Sequence, residues 1–292
     1  MRGRLSVLLM AALWVPGAGW AADEVIPLES PAYFVQVAGG YAYRALGAAS
    51  GDGQSRPREE IQVWEAGGLL TVPIAMGLGI RIEASGEGGT LRYQSGGRFE
   101  TVGAGGEAQL FWRDPTKGQF GLGYGYYWSA PQTTSVVDSI RIQSLPVYAA
   151  IYMPSMNGAA VDWNASFRYD FLSLQSTTGR RNEWAYEARF GSTWYINDVA
   201  SFEGAVRYER RLADEQEDIL EGDFAIEILI PTGGERHFAS VSLDGGVGRA
   251  TRMDLPLLPS TSLSSLTWRV GAQATIFFPG VTSLIELNRA YR

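Results

Sequence analysis

The sequence feature that most constrains the fold is a strict alternation of residue types over residues 160–171. The odd-numbered positions are apolar and mostly aromatic, namely Val161, Trp163, Ala165, Phe167, Tyr169 and Phe171. The even-numbered positions from 162 onward are polar, namely Asp162, Asn164, Ser166, Arg168 and Asp170. Because successive side chains of a β-strand point to opposite faces, this segment predicts a strand with one apolar face and one charged face. Strands of this kind suit a barrel whose outer face contacts lipid and whose inner face is wet.

The same alternation recurs along the chain and predicts about twelve strands. Most of them exceed the roughly 5–6 residues that are usual in soluble sheets and reach the ~9–11 residues that cross a bilayer at a tilt. The predicted strands are 32–46, 60–72, 76–93, 98–113, 118–129, 138–153, 159–172, 183–196, 199–212, 219–230, 236–249 and 265–278. We therefore expect an all-β fold, a transmembrane antiparallel up-and-down β-barrel of about twelve strands, within a range of roughly ten to fourteen.

The predicted connections alternate between long and short. The segments Gly47–Glu59, Ser173–Asn182 and Ala250–Ser264 are long, whereas Pro73–Ala75 and Asn197–Asp198 are short. Long external loops that alternate with short periplasmic turns are typical of outer-membrane barrels, and this order places the N-terminus on the periplasmic side. The alternative is a soluble β-sandwich, which would need no such alternation.

The N-terminus predicts a secreted protein. Arg2 and Arg4 precede the apolar run Leu5–Val15, and Gly19 and Ala21 supply the small residues that a signal peptidase recognises. We expect residues 1–21 to be a Sec-type signal peptide with cleavage near Ala21. Residues 22–31 then form a periplasmic lead, residues 32–278 the barrel, and residues 279–292 a C-terminal tail.

Composition excludes several kinds of site. Without Arg2 and Arg4, the 24 basic residues become 22 against 31 acidic ones, which gives the mature chain a net charge of −9. Such an acidic chain argues against a nucleic-acid partner. The chain has no Cys, so it has neither disulfides nor a thiolate metal site. We predict no cofactor and no metal.

The stretch from Trp268 to Phe278 ends on an aromatic residue and resembles the final strand that the barrel-assembly machinery recognises. The chain thus resembles bacterial outer-membrane β-barrels as a class. The resemblance implies an outer-membrane location, with lipid, lipopolysaccharide and the assembly machinery as partners, and other envelope proteins as further candidates. Those barrels usually stop at this aromatic residue, whereas this chain continues through Pro279–Arg292. The tail is a periplasmic extension, a short helix at the barrel mouth, or a further strand.

The predicted inner face carries both signs of charge. Our candidates for lumen-lining residues are Glu65, Arg81, Glu83, Glu107, Arg113, Asp162, Asn164, Arg168, Asp170, Glu187, Arg189, Glu203, Arg207, Glu209, Glu227 and Arg269. Arg141 is also assigned to the inner face, with a bulge in strand 138–153 because Ile140 and Ile142 are in phase with polar positions. Opposed charges either line a water-filled constriction that selects polar solutes or pair into a network that fills a narrow lumen.

Two functional hypotheses follow from these alternatives. The first is an outer-membrane channel for small polar solutes or exported material. The second is a plugged structural or assembly barrel that serves a secretion or surface-polysaccharide export system. A lipid-modifying enzyme is disfavoured, because the single His237 lies three residues from Ser240 and the two side chains fall on opposite faces of a strand. No catalytic residue is predicted.

Overall fold

The computed structural model describes residues 33–46, 59–75, 77–93, 98–114, 116–131, 137–156, 159–176, 179–212, 215–231, 234–254 and 263–291. The predicted signal peptide and periplasmic lead lie outside these residues. The strands are β1 (Phe34–Leu46), β2 (Glu59–Ala75), β3 (Leu78–Tyr93), β4 (Arg98–Asp114), β5 (Gly118–Pro131), β6 (Val137–Met156), β7 (Ala159–Ser176), β8 (Gly179–Asn197), β9 (Ala200–Leu212), β10 (Glu215–Leu229), β11 (His237–Asp254) and β12 (Leu263–Val281).

The twelve strands form a closed antiparallel barrel, as predicted. Each strand pairs with its neighbours in sequence, and β1 closes the barrel by pairing with β12, from Val35 opposite Phe278 to Leu46 opposite Thr267. Closure satisfies every sheet edge, which is the condition for a β-structure to span a membrane. Within the part of the chain that the structure describes, no helix has both the length and the apolar character to cross a membrane.

The outer surface of the barrel is an apolar belt. Each strand contributes at least one exposed large apolar side chain, for example Val37, Trp64, Ile82, Leu110, Leu122, Leu145, Phe167, Phe190, Val206, Phe224, Leu243 and Val270. In β7 the predicted alternation holds, because Trp163 and Tyr169 are exposed whereas Asp162 and Asp170 are buried. A continuous belt of this kind is stable in hydrocarbon and not in water, so the fold is that of a membrane barrel.

The apolar belt predicts that the effect of an introduced arginine on stability depends on its depth in the membrane. We expect Ile226→Arg, in the middle of the exposed apolar stretch Leu220–Ile230 of β10, to lower the free energy of unfolding by ~2–4 kcal/mol, because a charge at the bilayer midplane is poorly solvated. The matched control Ile230→Arg, at the periplasmic end of the same face, should change it by about 0–1 kcal/mol. Denaturant titration of protein folded into phosphocholine vesicles measures both values. Equal effects at the two positions would contradict the placement of the belt.

The structure of β6 contradicts two predictions. Ile140 and Ile142 point inward and are buried, and Arg141 between them is exposed on the outer side rather than inward. The pairing of β5 with β6 keeps one register from Leu122 opposite Val147 to Ser129 opposite Ile140. The register shifts of β6 lie at its ends, so the bulge expected within the strand is absent between Ser139 and Met153. The prediction was wrong because it took the whole lumen to be polar.

Several external connections are also shorter than predicted. β7 continues to Ser176 and β8 begins at Gly179, so two residues replace the loop expected over Ser173–Asn182. β9 and β10 likewise extend to Leu212 and from Glu215, which shortens the loop predicted at 213–218. Polar residues near the strand ends pair in register and extend the hairpins beyond the apolar belt.

The interior has three layers. Near the extracellular strand ends, apolar side chains lie beside the buried charges of Glu183, Arg211 and Glu217, and the apolar ones are Ile61, Val63, Ile140, Ile142, Leu172, Leu174, Ile219 and Ala250. The middle layer is charged. At the periplasmic end a second apolar cluster contains Phe34, Leu69, Tyr195, Leu229, Phe277, Val281, Leu284 and Leu287. The last two residues come from the C-terminal segment, residues 282–291, which follows β12 and consists of α1 (Leu284–Glu286) and a π-helical turn (Leu287–Tyr291).

Candidate functional site

The predicted lumen residues lie on the inner face of the barrel. Their positions share the phase of the buried or cavity-lining residues in each strand, and they are Glu65, Arg81, Glu83, Glu107, Arg113, Asp162, Asn164, Arg168, Asp170, Glu187, Arg189, Glu203, Arg207, Glu209, Glu227 and Arg269. The structure places most of them in three places: an ion-pair network on one side of the lumen, a contact with the C-terminal segment, and two cavities on the opposite side. Outside these places, Arg113 donates to Gln119 and Glu227 accepts from Ser240.

The ion-pair network has Glu221 of β10 at its centre. The carboxylate of Glu221 is fully buried and accepts a hydrogen bond from Arg207 Nη2. Arg269 Nε lies 3.5 Å from Glu221 Oε1, and Arg44 Nη2 lies 3.9 Å from Glu221 Oε2. Three arginines from β9, β12 and β1 therefore converge on one carboxylate. A buried charge is tolerated only when it is paired in this way.

Further pairs extend the network along the wall. Arg207 Nη1 lies 3.6 Å from Glu187 Oε2, and the same carboxylate oxygen lies 3.4 Å from Arg168 Nη2. Arg168 Nε also lies 3.2 Å from Asp170 Oδ2. Since each carboxylate is shared between arginines of neighbouring strands, the chain of contacts joins β7 to β1 and fixes the side of the lumen formed by β7–β12.

The C-terminal segment covers the periplasmic end of the lumen. Leu284 and Leu287 are fully buried against apolar side chains of the strands. Arg289 Nη2 lies 2.5 Å from Asp162 Oδ1 and donates to the carbonyl of Met153 at 3.2 Å, and the Tyr195 hydroxyl donates to Asp162 Oδ2 at 2.9 Å. Burial lowers the pKa of Arg289 to about 10, so the side chain is still a cation at neutral pH. An apolar contact and a buried ion pair thus both hold the segment in the lumen.

A local sequence signal explains why this segment turns into a helix. Ser283 is the N-cap residue, and its side chain accepts a hydrogen bond from the backbone N–H of Glu286 at 3.0 Å. The Glu286 carboxylate in turn accepts from the backbone N–H of Thr282 at 2.5 Å. The Ser283–Glu286 spacing is that of a capping box, which stabilises the first turn of a helix, although the Glu286 carboxylate bonds to Thr282, one residue before the N-cap.

The opposite wall of the lumen, formed by β2–β6, contains space. Its inner face carries glycines at positions where other strands carry arginine, namely Gly67, Gly103, Gly105, Gly121, Gly123 and Gly125. A cavity of about 160 Å³ lies against this wall, bordered by Glu83, Glu107 and Ser144 and, on the network side, by Arg168. This volume is well above the ~10–15 Å³ that one water molecule requires.

A second cavity of about 50 Å³ adjoins the first. It is lined by Gln36, Glu65, Glu87 and Gln273 among others, and both cavities share Glu83, Ser85 and Tyr127. The two cavities therefore adjoin along the glycine-containing wall, and they are large enough for water or a small solute.

Several important residues were not among the predicted candidates, and four of them differ in the signal that could have identified them. Glu87 continues the phase of Arg81 and Glu83 in β3, so the alternation itself was the signal that could have identified it. Tyr127 and Tyr195 are aromatic residues on an inner face, where the pattern of an aromatic outer belt gave no reason to expect them. Arg289 lies in the tail, and only the Ser283–Glu286 capping box marked that segment as structured.

The arrangement around His237 does not form a catalytic pair. His237 Nδ1 lies 3.2 Å from the carbonyl oxygen of Ile230 at the periplasmic rim. Ser240 is buried on the inner face and donates to Glu227 Oε1 at 2.7 Å. Among the described residues, no group of three or more His, Asp and Glu side chains is placed to hold a metal ion.

Comparison with known proteins shows the fold. No protein-family model matches the chain, and no curated protein matches it in sequence. The chain is similar in structure to an outer-membrane channel from Pseudomonas putida F1, with a TM-score of 0.60 and 14% identity over 87% of this chain and 100% of that one.

Two autotransporter domains are also similar. The translocator domain of NalP from Neisseria meningitidis has a TM-score of 0.52 and 11% identity, over 82% of this chain and 87% of that one. The β-domain of BrkA from Bordetella has a TM-score of 0.52 and 9% identity, over 83% and 99%. The predicted class, a bacterial outer-membrane β-barrel, is confirmed, and the identities show the shared fold alone.

Proposed function

We propose that this protein is a narrow outer-membrane channel for small polar solutes. The observation that carries the proposal is the unequal lumen, in which one wall is filled by ion pairs and the other is lined by glycines beside two adjoining cavities. A barrel that needed only a filled interior would place side chains against both walls. The similarity to an outer-membrane channel of P. putida is consistent with this function.

In the proposed channel, the C-terminal segment keeps the periplasmic end closed. Leu284 and Leu287 occupy the lumen there, and the Asp162–Arg289 ion pair ties the segment to β7. The wild-type protein should therefore conduct weakly or in brief openings, because a solute has to pass this apolar cluster.

Recording in planar bilayers tests the proposal. We expect the refolded wild-type protein to give discrete, small current steps in KCl that are absent from bilayers treated with detergent alone. Liposome swelling with solutes of increasing size should then show uptake only of the smallest ones. Lack of current steps in the wild-type protein and in a variant without the C-terminal segment would contradict the channel.

The second candidate is a plugged barrel that serves a secretion or surface-polysaccharide export system. The observation in its favour is that apolar side chains are buried at the extracellular end as well as at the periplasmic end. Such a barrel would conduct in neither form and would bring other envelope proteins with it when purified from membranes. We do not propose an enzyme, since His237 contacts the carbonyl oxygen of Ile230 whereas Ser240 donates to Glu227.

A further inference from the structure

Two pairs of glutamates face each other across neighbouring strands of the glycine-containing wall. Glu65 of β2 is in register with Glu87 of β3, and Glu83 of β3 is in register with Glu107 of β4. Like charges placed directly opposite each other destabilise a sheet. Four carboxylates in two such pairs, side by side on one inner surface, therefore need a compensating interaction.

In the ion-pair network, another pair of facing glutamates is neutralised by arginines. Glu187 is also in register with a glutamate, Glu209 of β9. There, Arg207 contacts Glu187 at 3.6 Å and Arg211 contacts Glu209 at 2.6 Å. The charge of each carboxylate is thus balanced by an arginine of the wall, so the two facing glutamates destabilise the sheet little.

The four glutamates of the other wall have no such balance. None of them makes a salt bridge within the described part of the chain, and Glu107 accepts a hydrogen bond only from the neutral side chain of Gln109. Arg81, two residues before Glu83, borders the larger cavity, and its guanidinium lies 5.7 Å from the centre of the Phe111 ring. This wall therefore presents excess negative charge to the lumen.

Two of the three arginines that border the larger cavity do not offset this charge, because carboxylates of the network already hold them, and the third, Arg81, is a single cation beside four glutamates. Arg168 lies 3.2 Å from Asp170 and 3.4 Å from Glu187, and Arg189 donates to Glu203. The smaller cavity has no basic residue in its lining, although three glutamates, Glu65, Glu83 and Glu87, border it. A positive charge is therefore missing at this place.

A second, independent observation points to a ligand at the same place. Tyr127 lines both cavities and is 6% exposed, and among the described residues its buried hydroxyl group makes no hydrogen bond of good geometry, although Glu87 and Ser129 lie close to it. Its ring lies across Gly103 and Gly105 of β4, where any side chain would collide with it. Because a buried hydroxyl normally finds a partner, this one is placed to contact a guest in the cavities.

The spacing of the carboxylates favours an organic ion over a metal. Among the described residues no three acidic or His side chains converge closely enough to hold a metal ion. An ammonium group on a short carbon chain can instead reach several separated carboxylates, and it contacts an aromatic ring favourably. The smaller cavity has room for the charged group and the larger one for the rest of the molecule.

We propose that the two adjoining cavities, bordered by Glu65, Glu83, Glu87, Glu107 and Tyr127, bind a small organic cation with one or two amino groups. The part of this inference that makes the cation the solute of the channel rests on the proposed function. The binding itself does not, because it is measured on the folded protein without transport.

Calorimetric titration of the refolded full-length barrel, free of lipopolysaccharide and in a zwitterionic detergent, tests the site. The probe is 1,4-diaminobutane, and the matched probes are the neutral 1,4-butanediol and the anionic succinate. We expect saturable binding of the diamine only, and an affinity at least about tenfold lower in Glu65→Gln/Glu87→Gln, the size expected for a lost charge-assisted hydrogen bond. Tyr127→Phe should weaken binding by a smaller factor.

The control variant is Glu100→Gln, which removes a carboxylate from the extracellular end of β4, where it pairs with Arg98 away from the cavities. It should bind the diamine as the wild type does. The double variant should fold at least as well as the wild type, because it removes a like-charge pair, and its thermal unfolding checks this.

Three results would overturn the inference: no saturable binding of the diamine, equal binding of the diol, or undiminished binding by the double variant. Binding of Ca²⁺ that displaces the diamine would replace the organic cation by a metal and so contradict it as well. Diamine binding by a protein that shows no current would keep the site and reject the channel. Current without diamine binding would keep the channel and reject the site.

Discussion

Deleting residues 282–292 is expected to raise the single-channel conductance roughly threefold or more, because it removes the apolar residues that cover the periplasmic end of the lumen. The deletion leaves β12 intact through Val281, including the aromatic Phe278 of the final strand. Barrel assembly should therefore proceed, and the heat-modifiable shift of the folded barrel in electrophoresis verifies it. Planar-bilayer recording of the folded variant then measures the conductance.

A point variant separates the release of the segment from its removal. Arg289→Ala breaks the contact with Asp162, which is buried and also accepts a hydrogen bond from Tyr195. It should increase the frequency of openings more than their size, because the segment stays attached. Arg98→Ala, at the exposed extracellular end of β4, is the control and should leave the openings unchanged. If the truncated barrel conducts no better than the wild type, the closure lies elsewhere in the lumen.

The outer surface could be predicted from the sequence because it depends only on local alternation. Phe224, Ile226 and Ile228 in β10 fall on one face whatever their neighbours are, and all three are exposed in the barrel. The same rule failed in β6, where Ile140 and Ile142 are apolar but face inward. An alternating pattern shows which residues share a face. It assigns the apolar face to the outside, and this assignment fails where apolar residues also line the inside of the barrel.

The interior contacts could be predicted less well, because they join residues far apart in the chain. Arg289 and Asp162 are separated by 127 positions, and no local rule brings them together. The capping box at Ser283 predicts that the tail can form a helical turn, but not where that turn docks. The position of Tyr127 over Gly103 likewise depends on the register between β4 and β5, which the connecting turn and the whole barrel determine.

Glu221 is the residue whose loss should destabilise the barrel most. Glu221→Ala removes the carboxylate that, among the described residues, Arg44, Arg207 and Arg269 contact together, and the site is closed to water. Three guanidinium groups would then lie close together with less compensating charge. Breaking a buried ion pair on one side costs ~3–5 kcal/mol, so the free energy of unfolding should fall by this amount. Urea titration in lipid vesicles measures it.

Two matched variants distinguish the charge from the packing. Glu100→Ala removes the exposed partner of Arg98 and should change the free energy of unfolding by about 0–1 kcal/mol, as exposed pairs do. The double variant Arg207→Met/Glu221→Leu replaces one ion pair by apolar side chains of similar size and should recover part of the loss, because one cation leaves together with the carboxylate and Arg269 keeps Asp223 as a partner. If Glu221→Ala were as mild as Glu100→Ala, water would have to reach the network. The ion-pair wall would then be part of the solute path, and the cavities of the glycine-containing wall would not be its only route.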